Sequence, residues 1–394
     1  MYRALVSLHR VLGLGLAAFL CIAGLTGAVI GWNHELDVWL NPELFERRAQ
    51  LDAPALHPLE LADRLERADP RLYVSYLPLA LEPGRSAGLF VQPRIDPATQ
   101  RPYELDFDEV ALDPADGTIL GRRMWGRFGF DRAHLMPFLY RLHYSLHLPE
   151  LGGVDSGIML MGVCALAWAF DCLAAIVIAF PSRKLWRRSF AFRLRGGAPR
   201  LNFDLHSSGG VWTWLLLLML AVSGVSMNLE REVMRPLVAL FSPLRPDPLA
   251  ERPPATPGEP WSRGAILARA EREASAHGIR TPAGSVSLTR ERRLYRVSFF
   301  RPGDAHADGR LGNPALDFDA HSGAFLNAAL PGRGSAGDVF LQAQYPLHSG
   351  RLFGVAGRAL ISLLGAAVAT LSVTGVILWA RRRRRTQRER SRRQ

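Results

Sequence analysis

The chain has 394 residues, with 48 Lys+Arg against 36 Asp+Glu for a formal net charge of +12, yet only 21% of its residues are charged and 48% are hydrophobic. A surface built to hold nucleic acid gathers its cations on a polar fold; here the apolar residues are gathered instead, into four nearly charge-free runs. That excludes a nucleic-acid partner and replaces the two or three soluble domains that this length could hold with alternating apolar and polar segments.

The first run, Val11 to Asn33, carries no ionisable side chain but Cys21. At ~1.5 Å per helical residue it covers the ~30 Å core of a bilayer. It is longer than the core of a cleaved signal sequence, and its Gly-Leu-Thr-Gly end lacks a small-x-small cleavage site, so it is read as retained. A polar segment follows, with an amphipathic helical stretch at Pro58–Ala68, strand-like runs LYVSYL, GLFVQP and YELDF, and a strand-turn-strand pattern VALDPADGTILG that turns at Gly117. The second run spans about Ser156 to Phe180, interrupted only by Asp171; the third spans Ser207 to Leu229. The second polar segment has a helical stretch at Ser262–Ala276, strand-like SVSLT and YRVSFF, and the turn LDFDAHSGAFLN at Gly323. Ala359 to Ala380 forms the fourth run, followed by an Arg-rich tail.

The basic residues orient these spans. The loop SRKLWRRSFAFRLRGGAPR holds seven Lys+Arg and no acid, and the tail RRRRRTQRERSRR holds nine Arg against one Glu. Both are expected to be cytoplasmic, as are both termini, given an even number of spans; the tail also suits anionic lipid headgroups. Residues 33–142 (13 basic, 18 acidic) and 229–347 (15 basic, 13 acidic) then lie outside. Cys21, Cys164 and Cys172 all fall within spans, so no disulfide framework, Cys-x-x-Cys-His haem attachment or cysteine metal cluster is available.

Span, external segment and span then recur, an internal duplication. SLHRVLGLGLAAFLCIAGLTGAV aligns with DLHSSGGVWTWLLLLMLAVSGVSM, and RLHYSLHLPELGG with YPLHSGRLFGVAGR. The expected fold is a membrane bundle of four transmembrane helices with two small external α+β units. Its segments are 1–34, 141–181, 206–229 and 346–380 for the helices, 35–140 and 230–345 for the external units, 182–205 for the basic loop and 381–394 for the tail.

The histidines carry the chemistry. His9 and His206 stand at the cytoplasmic ends of spans one and three; His143, or its neighbour His147, and His348 stand at the external ends of spans two and four. A lone histidine at a membrane boundary is ordinarily a hydrogen-bonded interfacial residue, but matched pairs on both sides change the weighing. Ionisable groups at membrane depth are functional by default, and two imidazoles on different helices can clamp one planar metal cofactor. Gly13 and Gly15, Ser207 to Gly210, and Gly350, Gly354 and Gly357 lie close by, suiting a flat group or close helix packing. A zinc or copper site is less attractive, with only two or three histidines per side and no carboxylate or thiolate nearby. His143 and His147 share a helix face at i, i+4; Tyr-x-Leu-His favours His147 as the partner of His348, and His-x8-Gly favours His143, which is preferred. His34 is read as interfacial, with a lesser role in electron passage or substrate contact; His57, His134, His277, His306 and His321 are read as surface residues. Asp171 is assigned first to a hydrogen bond with a neighbouring helix and second to proton handling. Trp168 and Trp214 stand between the two histidine levels, where core packing explains them equally well.

Leu142-His143-x-Ser145-Leu146, the run Leu347-His348-Ser-Gly-Arg-Leu-Phe-Gly354, the opening Leu8-His9-Arg-x-Leu-Gly and the twin Asp-x-x-x-Gly turns resemble the PepSY-associated transmembrane family of bacterial inner-membrane proteins, over nearly the whole chain. Its ferrioxamine-reductase type is the nearest likeness. His147 and Pro149 depart from the family's usual Leu and Gly, which bears on the external ligand alone. The resemblance implies two PepSY-like periplasmic domains and two haem b groups, each held by two histidines: His9 with His206, and His143 with His348. It also implies electron flow from a quinol or cytoplasmic reductant to ferric iron in a periplasmic siderophore complex. Trp125, Arg127 and Phe128 are candidates for the substrate end. Two other classes compete: a non-catalytic receptor or regulator whose PepSY-like domains bind a periplasmic protein or peptide, and a transporter, disfavoured by the single acid within the spans. Measured from His9 to Asn33, the two faces lie ~36 Å apart, a long electron path.

Overall fold

The computed structural model describes residues 2–47, 55–246 and 259–392. Parts of the second external segment (247–258) and the tip of the Arg tail thus lie outside the described residues. The chain divides into two compact units: one of residues 1–33, 139–243 and 343–394, the other of residues 34–138 and 244–342.

Among its described residues the first unit contains four helices long and apolar enough to cross a membrane, making this a multi-pass membrane protein. They are α1 (Tyr2–Ile30), α5 (Ser156–Ala179), α6 (Gly197–Asn228) and α9 (Gly354–Ser391). Each packs on two others, α1 against α9 and α5, and α6 against α5 and α9, closing a ring. Small residues permit the approach: a Cβ on Gly24 would stand 2.6 Å from the carbonyl oxygen of Gly365, and one on Gly224 would stand 3.2 Å from Ala165 Cβ. Leu25, Val163, Leu215, Leu363 and Val373 are exposed, the outward apolar surface that lipid accepts at no hydrophobic cost. At one end Arg358, buried, donates to the carbonyl of Gly31 (2.8 Å) and lies over the Trp32 ring.

Residues 141–181 and 346–380, each expected as one transmembrane helix, are both broken. Helix α4 (Arg132–Ser145) ends before a corner in which Leu146 and His147 take positive φ (53° and 55°). A tight hairpin at residues 150–155 follows, and Asp155 starts α5 by accepting from the amide of Ile158 (2.9 Å). Helix α8 (Ala336–His348) likewise ends before Gly350 and Gly354, at φ +74° and +57°. In both places the chain doubles back so closely that the next helix presents a bare glycine, Gly157 under Ser145 and Gly357 under Gly350. The first span stays within its expected limits, whereas the third begins at Gly197, nine residues before the expected 206.

The two polar segments, expected as two small external units, share one antiparallel sheet. Its strands are β1 (Leu72–Pro78), β2 (Ala87–Pro93), β3 (Glu109–Leu112), β4 (Ile119–Arg123), β5 (Ala283–Thr289), β6 (Leu294–Phe299), β7 (Ala315–Asp319) and β8 (Phe325–Ala329), in spatial order 8-7-6-5-1-2-3-4. Each segment is a meander, and the two join where Tyr76, Leu77 and Pro78 pair with Ser287, Val286 and Ser285. The join satisfies what would otherwise be two unpaired edges. Helices α3 (Pro58–Ala68) and α7 (Arg263–Ala276) bury Leu61, Leu65, Ile266 and Ala270 in one core with Leu72, Leu89, Val297 and Phe318. Glu66 on α3 accepts from Arg94 (2.9 Å) and from Arg263 of α7. YELDF forms no strand, the nearest bridge being the isolated one at Pro102 just before it; Phe107 reaches the core from irregular backbone instead. The turns at Gly117 and Gly323 (φ +83° and +65°) are alike, with Asp113 and Asp319 accepting from amides two residues on (2.9 and 3.0 Å). A short helix, α2 (Asn33–Leu40), is tied to this unit through Asp37, which binds buried Arg123 (2.7 Å).

Candidate functional site

At the end of the bundle that carries the basic loop, the rings of His9 on α1 and His206 on α6 have centroids 6.1 Å apart and planes 46° apart. At the other end His143, last turn of α4, faces His348, last residue of α8, at 6.2 Å and 56°. The structure therefore brings together the same pairs that the sequence suggested, and the ring facing His348 is that of His143. His147 lies in the corner after α4.

Each imidazole is anchored through Nδ1. His143 Nδ1 lies 3.1 Å from the Thr26 hydroxyl and His348 Nδ1 lies 2.8 Å from the Ser223 hydroxyl. His206 Nδ1 meets the Leu371 carbonyl (3.0 Å) and the Thr374 hydroxyl (3.3 Å), and His9 Nδ1 meets Asp171 Oδ1 (2.9 Å). The tautomer follows from the partners. Thr26, Ser223 and Thr374 spend their own protons on carbonyls one turn back, those of Ile22 (2.8 Å), Met219 (2.8 Å) and Thr370 (2.6 Å). A hydroxyl so committed offers only a lone pair, and a carbonyl or carboxylate only accepts. All four Nδ1 atoms are thus N–H donors, and all four Nε2 atoms are left with the lone pair that binds a metal.

The spacing suits two imidazoles that share one metal between them. With a metal–imidazole bond of about 2 Å, plus about 1.1 Å from nitrogen to ring centre, the centroids of a linear nitrogen–metal–nitrogen unit stand about 6.2 Å apart. Two donors per site are too few for a bare ion, and among the described residues no three His, Cys, Asp or Glu side chains form a metal cage. Two imidazoles do suffice for a macrocycle that brings four equatorial nitrogens of its own, so the residues present fit a haem at each end. Glycine makes room for the rings: a Cβ on Gly27 would stand 2.9 Å from His143 Cε1, and one on Gly375 would stand 2.9 Å from His206 Cε1.

Thr26 lies 17 residues after His9, and Ser223 lies 17 residues after His206. That equal spacing, each time followed by Gly, was the signal that could have found these two hydroxyls. His143 sits at the level of Thr26, not of Asn33, so the two histidine levels are ~26 Å apart along α1. Trp168 and Trp214 both pack against the core of Cys172, Leu217 and Val368, and Trp214 Nε1 donates to the Cys172 carbonyl (2.8 Å). The three cysteines are free thiols.

The remaining histidines serve the sheet unit. His34 and His306 face one another at 6.1 Å, with Phe45 against His34. His57 caps α3 by accepting from the amide of Leu59, His134 pairs with Asp131 (2.9 Å), His277 stacks on Phe325, and His321 belongs to the Asp319 turn. Of the residues suggested for the substrate end, Phe128 clusters with Phe130 and Phe138 (5.3 and 5.1 Å), and the Trp125 amide donates to Asp108. Arg127 follows in the same loop after β4.

No curated protein matches the chain. Residues 6–382, all but the extreme ends, match the PepSY-associated TM region, and this chain, with four candidate spans and two histidine pairs at opposite ends of their bundle, therefore belongs to the PepSY-associated transmembrane family.

Proposed function

We propose that this protein is a b-type dihaem reductase of a bacterial inner membrane that passes electrons across the bilayer to ferric iron held in a periplasmic siderophore complex. The observation that carries the reading is the state of the four imidazoles: every Nδ1 has an oxygen partner, and the rings pair at 6.1 and 6.2 Å. His9 and His206 would hold one haem, His143 and His348 the other, and haem so bound supplies one-electron carriage. With two histidines holding each haem, the group would serve as an electron carrier, and substrate would be reduced without binding to either iron.

The chain's own residues do the positioning. Thr26, Ser223, Thr374 and the Leu371 carbonyl fix ring rotation and tautomer, which raises the basicity of the ligating nitrogen. The seven-cation loop and the Arg tail stand at the His9–His206 end, so the positive-inside rule makes that end cytoplasmic and puts both termini there. A quinol or soluble cytoplasmic reductant gives up electrons at that end, and each Fe(III)–siderophore complex gains one at the other. Fe(III) is the harder ion and prefers oxygen-rich chelators, so reduction loosens its hold and releases Fe(II).

The test is a reduced-minus-oxidised spectrum of the purified protein before and after a ferric siderophore is added. Soret and α bands that bleach as the protein reoxidises support the reading. A protein with no such bands, or one whose bands survive His9→Ala, His206→Ala and His348→Ala together, refutes it and leaves a non-catalytic receptor.

A further inference from the structure

The four imidazoles are anchored by unequal partners. His143, His206 and His348 give their Nδ1 protons to neutral oxygens, of hydroxyls and a backbone carbonyl. His9 alone meets a carboxylate, Asp171, which is 7% exposed and whose one side-chain hydrogen-bond partner among the described residues is His9. The fold does not demand an acid there. Counting 14 residues from the glycine under each corner leads from Gly157 to Asp171 and from Gly357 to Leu371. At the second position an apolar residue does the same anchoring through its carbonyl, aided by Thr374, where the first helix has Ala174. Asp171 thus takes the place of a neutral acceptor with a negative one, inside an apolar bundle.

A ligand imidazole that shares its Nδ1 proton with a carboxylate acquires imidazolate character and becomes a stronger donor. The buried negative charge acts in the same direction, since in a medium of low dielectric it favours the more highly charged metal state. Both effects stabilise Fe(III) over Fe(II) at one end of the bundle only. We propose that Asp171 is a positioning residue that lowers the reduction potential of the His9–His206 centre below that of the His143–His348 centre. The difference gives direction to transfer along the bundle. One electron leaves the first centre, which goes from Fe(II) to Fe(III), and enters the second, which goes from Fe(III) to Fe(II); no bond or proton moves. The quinol or soluble reductant named above replaces that electron. This inference rests on the dihaem reading.

The experiment is an optical redox titration of the full-length protein in detergent, backed by low-spin ferric EPR. Wild type is expected to titrate in two one-electron waves. Asp171→Asn keeps an acceptor of the same shape but removes the charge; it should raise the lower wave by about tenfold in the ferric/ferrous ratio, or about 59 mV for one electron, and leave the upper wave in place. Asp171→Glu should restore the low value. The EPR signal that shifts in Asp171→Asn should be the one lost in His9→Ala. If both haems are present and Asp171→Asn moves neither wave, or moves the upper one, the assignment of Asp171 is overturned while the dihaem reading stands. If Asp171→Asn fails to retain haem, the Glu variant decides: a raised lower wave in it also overturns the assignment. A wild-type protein without Soret bands overturns the dihaem reading itself, and Asp171 with it.

Discussion

Gly27→Ala sets local propensity against site geometry. Within α1 the substitution should stabilise, since Ala is favoured over Gly in a helix interior by about 1 kcal/mol. At this position the new methyl would stand 2.9 Å from His143 Cε1, whereas packed carbon atoms stand about 3.5–4.0 Å apart. The ring must therefore retreat by roughly 0.6–1 Å. Its Nδ1 lies 3.1 Å from Thr26 Oγ1, so a retreat of that size breaks the hydrogen bond, whose net worth is about 1 kcal/mol. On the proposed dihaem reading, a ligand imidazole also loses its orientation. Loss of a ligand's outer partner costs about 10–100-fold in metal affinity. The expected result is a protein at least as stable to heat as wild type that has lost roughly half its haem, measured as pyridine haemochrome per protein. Thr26→Val removes the acceptor without adding bulk and separates the two causes: it should weaken the same haem less than Gly27→Ala does. Full haem content in Gly27→Ala, together with a raised melting temperature, would refute the placement of His143 as a ligand.

Three further outcomes follow from the same geometry. Ser223→Ala deprives His348 Nδ1 of its 2.8 Å acceptor and should lower haem occupancy at that end by about 10–100-fold in affinity, whereas Ser372→Ala, which loses only a bond to its own helix, should leave occupancy unchanged. Arg123 is 5% exposed and bridges Asp37 (2.7 Å) and Glu109 (2.6 Å); burial already pushes the Glu109 carboxyl up, against the pull of that guanidinium. Arg123→Met strands both acids and should destabilise the sheet unit by about 3–5 kcal/mol in chemical denaturation, and a change below 1 kcal/mol would contradict the network. The Asp319 carboxyl is raised by burial but lowered further by the Ser322 amide and hydroxyl, the His321 amide and Arg293, and is held at about 2. Its folded value lies below the ordinary 3.8, so its contribution, about 2 kcal/mol, is fully present above pH 4 and is lost as pH falls toward 2. Asp319→Asn should flatten acid unfolding in that window, and identical acid profiles would exclude this role.

The four spans could be read from sequence because a charge-free run of bilayer length needs no tertiary information. The histidine pairing was legible for a related reason: charge sorted the ends, and like ends pair. The breaks after Ser145 and His348 were not, since each depends on a helix glycine packing beneath a corner that is seven or more residues away along the chain. Nor was the shared sheet, whose central pairing joins residues 76–78 to 285–287, about 200 positions apart, through backbone groups that every sequence possesses. YELDF alternates like a strand, but it lacks a ladder partner. Thr26, Ser223 and Thr374 look like ordinary packing residues until the imidazoles that they receive are in place. Asp171 was noticed as an acid in an apolar run and assigned first to a bond with a neighbouring helix; its bond to His9 is of that kind, and the chemistry of that helix's residue gives it a further meaning.

The central pairing of β1 with β5 also has a consequence for biosynthesis. When β1 leaves the ribosome its outer edge has no partner, and Leu72, Val74 and Leu77 have only part of their core. Some 200 residues must be made before β5 arrives, which at about 5–20 residues per second takes about 10–40 s. Two further helices enter the membrane in that time. The first meander therefore waits as an open-edged sheet, the kind of intermediate that pairs with copies of itself, and chains halted before residue 283 should be the species that engages chaperones.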